Sequence, residues 1–104
     1  MEVTLGPIQA IPEGEGRMFE IGKTRLAVFR TRQGKVFATQ ANCPHRDGPL
    51  ADGIVGGRTL VCPLHSLKFD LDTGRSLDGS CTLAVYPARL GPNGQVLVEL
   101  GGHG

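Results

Sequence analysis

The amino-acid sequence predicts an all-β protein, closing as a small antiparallel sandwich or barrel. Glycine and proline are dense, 16 and 7 in 104 residues, which argues for many tight turns between short strands. No long stretch carries the 3.6-residue apolar period of a helix. Short alternating runs, such as Leu67-Phe69-Leu71, stand between turn signals instead.

Val3 to Leu5 reads as a first short strand, followed by a loop through Pro12 and Gly16. Met18 to Ile21 and Leu26 to Thr31 flank Gly22-Lys23 and form an expected hairpin. In its second arm Leu26, Val28 and Arg30 share one face, and Ala27 and Phe29 the other. Gln33-Gly34 turns the chain into a strand from Val36 to Thr39. Residues from about Ala41 to Asp70 read as an insert, with Pro44, Pro49 and Pro63 stiffening its loops. Gly48 and Gly53 there allow backbone approaches that a side chain would block. Thr59, Val61 and the Leu67-Phe69-Leu71 alternation read as the strands that pin these loops, before the Asp72-Thr73-Gly74 turn. The chain then returns to the base through Leu83 to Leu90 and, after the Pro92-Asn93-Gly94 turn, Val96 to Leu100. Gly101 to Gly104 is a polar tail whose His103 is not expected to ligate anything.

At this length the chain is expected to be one domain, residues 1–104. A formal charge of +1 gives no basic patch that would argue for nucleic acid. No apolar run approaches the roughly 20 residues of a membrane helix, and no signal-peptide pattern opens the chain. A cytoplasmic protein is the expectation. Three cysteines are an odd count, and Cys81, with no histidine near it in sequence, reads as a small buried apolar residue.

The other two cysteines carry the chemistry. Cys43-Pro44-His45 and Cys62-Pro63-Leu64-His65 are C-x-H and C-x-x-H runs, and they hold two of the three Cys and two of the three His. Two thiolates and two imidazoles are a metal-binding donor set presented on two loops. A structural zinc site uses such donors, but it usually pairs Cys with Cys and His with His, so the mixed pairs fit it poorly. For a diiron cluster bound by Cys₂His₂, each of these loops can supply one thiolate and one imidazole. With two ferric ions, two sulfides and two thiolates that site is formally neutral, and it accepts an electron more readily than a four-cysteine site.

The runs from Cys43 to Leu50 and from Cys62 to Asp70 resemble the two cluster-binding loops of Rieske ferredoxins. The likeness extends from Pro12 to Tyr86-Pro87 and the last strand, nearly the whole chain. It is similar both to small Rieske ferredoxins and to the small Rieske-type subunit of NAD(P)H nitrite reductases. The resemblance implies a Rieske-like β-sandwich base with a small cluster-binding subdomain, and one [2Fe-2S] cluster. Cys43, His45, Cys62 and His65 would be its metal ligands. It also implies an exposed tip rimmed by Arg46, Pro49, Leu50, Pro63 and Leu64. Where high-potential members carry a disulfide, this chain has Gly48 and Leu64, and where they place a hydroxyl near the cluster it has Leu67. A low Rieske potential follows, since hydrogen bonds to sulfur favour the reduced state.

An oxygenase needs a second iron held by two His and a carboxylate, and only His103 would remain for it. The chain is therefore expected to have no activity alone and to hand its electrons to another protein. The first expectation is a carrier from an NAD(P)H-dependent flavin reductase to a terminal oxygenase. The alternative is a small subunit working with a nitrite reductase large subunit. A structural zinc domain stands third.

Overall fold

The computed structural model describes residues 2–43, 48–63 and 67–100. Ten antiparallel strands form three sheets, and no α-helix occurs among the described residues. In chain order the strands are β1 (Glu2–Pro7), β2 (Gly16–Ile21), β3 (Thr24–Arg30), β4 (Val36–Gln40), β5 (Ile54–Gly56), β6 (Thr59–Val61), β7 (Lys68–Asp70), β8 (Val85–Tyr86), β9 (Ala88–Leu90) and β10 (Gln95–Glu99). Short 3₁₀ turns lie at Ile8–Ala10 and Leu50–Asp52. The sheets run β1-β10-β9, β2-β3-β4-β8 and β5-β6-β7.

The expected hairpin is β2–β3, closed by a two-residue turn with Ile21 opposite Thr24. Its second arm is buried more completely than the alternation suggests. Leu26, Ala27, Val28 and Phe29 are all shielded from solvent. Leu26 and Val28 pack into a base core with Ile8, Ile11, Val36, Ala38, Val96 and Val98. Ala27 and Phe29 enter a second core with Leu50, Val55, Leu60, Phe69, Leu71 and Leu83. A strand covered on both faces must be apolar on both, so β3 forms a wall shared by two cores.

Two features go beyond the sequence reading. The return through Leu83 to Leu90 is made of two strands in different sheets, β8 on β4 and β9 on β10. They part at Pro87, which has no N–H for a ladder but whose carbonyl accepts the Glu99 amide at 2.8 Å. The strand β5 was not expected. Three residues are too few to show a period, and its pairing with β6 creates it.

Gly74 makes a tight bend beside the second core. Its φ is +83°, and a Cβ there would lie 2.3 Å from the Leu83 carbonyl oxygen. Gly53 plays the role expected of it, since a Cβ there would meet the Val61 carbonyl at 2.3 Å. This approach draws the 3₁₀ turn at Leu50–Asp52 against β6.

Candidate metal centre

Each candidate cysteine closes a hairpin, and the two hairpins are built alike. In the first, the Leu50 amide donates to the Ala41 carbonyl at 2.9 Å, Asn42 bridges Pro49, and the Cys43 amide donates to the Gly48 carbonyl at 2.8 Å. In the second, β6 and β7 pair Val61 with Lys68, and the Cys62 amide donates to the Leu67 carbonyl at 2.8 Å. In both, the cysteine bonds to the residue five positions on, so four residues span each tip. Those four contain His45 in one loop and His65 in the other. His45 and His65, with Arg46, Leu64 and His103, lie outside the described residues.

Both cysteines are buried, Cys43 with 2% and Cys62 with 1% of its surface exposed. Both belong to the second core, against residues such as Leu50, Leu60 and Phe69. Neither is in a disulfide. A bare thiolate in apolar surroundings is costly, because nothing offsets its charge. Metal cations offset it, so two buried sulfurs on matched hairpins fit an iron–sulfur cluster. Leu67 packs against the same core with a side chain that cannot donate a hydrogen bond.

Sequence reasoning missed Gln40, which locks the first hairpin to the rest of the fold. Its amide nitrogen Nε2 donates to the Asn42 carbonyl at 2.7 Å, while Oε1 accepts the Ala84 amide at 2.8 Å. Nothing in the sequence marks a glutamine at a strand end for this task. The loop after β7 has its own staple. The Asp78 carboxylate accepts bonds from the Ser80 hydroxyl, the Ser80 amide and the Ser76 hydroxyl at 2.7, 2.9 and 2.8 Å. These bonds, the Ser80 hydroxyl first, hold its pKa below the ordinary 3.8. Buried Ser76 accepts the Cys81 amide in turn, and Cys81 packs half-buried against the second core, close to its expected role.

One expectation about the tip is overturned. Pro49 and Pro63 are exposed, but Leu50 is fully buried in the second core. It opens a 3₁₀ turn whose amide is tied to Ala41, and this directs the side chain inward.

The family model for the Rieske [2Fe-2S] domain matches residues 1–87. This chain belongs to the Rieske family. The ferredoxin component of a naphthalene 1,2-dioxygenase system from Pseudomonas aeruginosa is 34% identical to this Rieske protein over 93 residues, 86% of either chain. A structure from Mycobacterium tuberculosis, assigned as an NADH-dependent nitrite reductase small subunit, superposes with a TM-score of 0.86 at 28% identity, over 94% of this chain and 93% of that one. A Sphingomonas yanoikuyae ferredoxin superposes at 0.80 and 27% identity, over 97% of this chain and all of that one. The cofactor of this Rieske protein is accordingly a Rieske-type [2Fe-2S] cluster, and its function is electron transfer between redox partners. No helix among the described residues is long and apolar enough to cross a membrane.

Proposed function

We propose that Cys43 and Cys62 hold one iron of the cluster as thiolates and that His45 and His65 hold the other through one ring nitrogen each. The matched hairpins support this, since each brings one cysteine into the same core with a histidine two or three residues further on. The chain is one domain over residues 1–104, with the cluster-bearing insert at about 41–70. It carries single electrons from an NAD(P)H-dependent flavin reductase to a terminal oxygenase in the cytoplasm, and has no turnover alone. The observation that carries this is the ferredoxin component of a dioxygenase system, matched over most of both lengths.

A second reading has its own support. The high structural likeness to the nitrite reductase small subunit favours assembly with a large subunit. Gel filtration and NADH-driven assays separate the two. A carrier elutes alone and supports an oxygenase catalytically, at concentrations well below it. A subunit co-elutes with a nitrite reductase large subunit and acts stoichiometrically. In either case the purified protein should contain two iron and two acid-labile sulfides per chain. Colourless protein with one zinc would sink both.

A further inference from the structure

The small sheet β5-β6-β7 has one face in the core and one in solvent, and the two differ in a way that points to a partner. Antiparallel partners share a face. Val55, Leu60, Phe69 and Ser76 form one cross-strand row, and all four are buried. One residue along lies the row Ile54, Val61, Lys68 and Leu77, the last joined by its amide to the Lys68 carbonyl at 2.8 Å. This row is the outer face. Ile54 is 68% exposed and Leu77 61%, two of only four large apolar residues left exposed among those described.

Among the described residues, the row carries cations that no ion pair occupies. Lys68 lies within it, and Arg75 lies in the next row out, where its carbonyl accepts the Asp70 amide. Among the described residues neither side chain makes an ion pair, whereas Arg17, Arg25, Arg30, Arg58 and Arg89 all do. The nearby carboxylates are engaged: Asp70 accepts the Asp72 amide, Asp72 binds Arg58, and Asp78 holds Ser76 and Ser80. An apolar strip with two unpaired cations complements an apolar surface rimmed by carboxylates.

The row also abuts the metal centre. Val61 directly precedes Cys62, and Lys68 directly follows Leu67, whose carbonyl accepts the Cys62 amide. We propose that the outer face of β5-β6-β7, with Ile54, Val61, Lys68 and Leu77 at its centre, docks the electron acceptor, a protein presenting an apolar patch rimmed by carboxylates. This rests on the carrier reading above. The strip is small, as suits redox encounters that bury under about 1,200 Å² and must dissociate quickly.

The test uses the reduced holoprotein and two acceptors, the oxygenase of a naphthalene 1,2-dioxygenase system and a nitrite reductase large subunit, in stopped flow. Ile54→Asp, Leu77→Asp and Lys68→Glu are compared with Met18→Asp, an exposed apolar site on β2. Ferricyanide oxidation, which needs no docking, checks that each variant keeps a working cluster. Each row variant should lower the second-order rate about ten-fold, the loss expected of a central contact worth about 1.4 kcal/mol, while Met18→Asp leaves it unchanged. The loss in Lys68→Glu should shrink with added salt, since screening acts on charge. If the row variants match Met18→Asp while the parent transfers normally, the docking face is overturned and the carrier reading stands. A parent that reduces neither acceptor, or only the nitrite reductase large subunit, overturns the carrier reading and the proposal with it.

Discussion

Cys43, Cys62 and Cys81 separate by surroundings rather than by chemistry. The first two close hairpins and are buried in one core, whereas Cys81 is half-buried at its margin. Cys43→Ser and Cys62→Ser should each abolish the visible absorbance and the bound iron, and Cys81→Ser should retain both. Metal and sulfide analysis of the purified variants checks this. Gly74 is a residue whose side chain is excluded twice, by φ and by the Leu83 carbonyl. Gly74→Ala should lower stability by about 2–4 kcal/mol, the sum of a left-handed conformation and an overpacked contact. Denaturant unfolding measures it, and a loss of a few tenths would mean that the backbone relaxes freely. Leu67 sets the third expectation. Replacing it with serine supplies a hydrogen-bond donor at a position that now has none on its side chain. Leu67→Ser should raise the midpoint potential by about 60 mV, the one-electron equivalent of a hydrogen bond worth about 1.4 kcal/mol in favour of the reduced state. Spectroelectrochemistry on parent and variant decides it.

The elements explain how short strands hold a site. β5, β6 and β7 have three residues each and would not persist alone. They are held because Val55, Leu60 and Phe69 share a core with β3, and because the segment from Arg75 to Leu77 bonds along β7. The staple at Asp78 shapes the loop that follows. Its carboxyl titrates below 3.8 in the folded protein, so the ionised form is the one the fold prefers. That contribution is complete above the unfolded value and is lost as pH falls through the lowered folded value. The melting temperature of Asp78→Asn should therefore lie below the parent's at neutral pH. The difference should close well below pH 3.8. Thermal melts at both pH values test this, and a gap that persists in acid would assign the effect to packing instead.

At the scale of the whole molecule, two cores share the wall of β3, one stabilising the base and one seating the cysteines. The cluster hairpins are thus extensions of the hydrophobic core rather than loops laid on it. Leu50 shows the consequence: a residue in the loop sequence proves to be core. The same arrangement leaves Leu67 packed against the core that holds Cys43 and Cys62. The midpoint potential should fall at about −150 to 0 mV, the low part of the Rieske range. A value near the top of that range would show that donors other than Leu67's position govern it.

The sequence by itself determined the all-β class, the hairpin β2–β3 and the two Cys-His runs. Each depends on residues close together in the chain: turn glycines, alternation over a few positions, and ligand spacing. The family resemblance was equally legible, because its two loops are continuous segments. Tertiary structure alone decided that both faces of β3 are buried, that Leu50 points inward and that Pro87 sends the chain into another sheet. It alone placed Ile54 beside Val61, Lys68 and Leu77 on one exposed row, and made Gln40 the link between Asn42 and Ala84. Those outcomes depend on which surfaces meet after the chain closes. Burial and cross-strand pairing are properties of neighbours distant in sequence, and no local period encodes them.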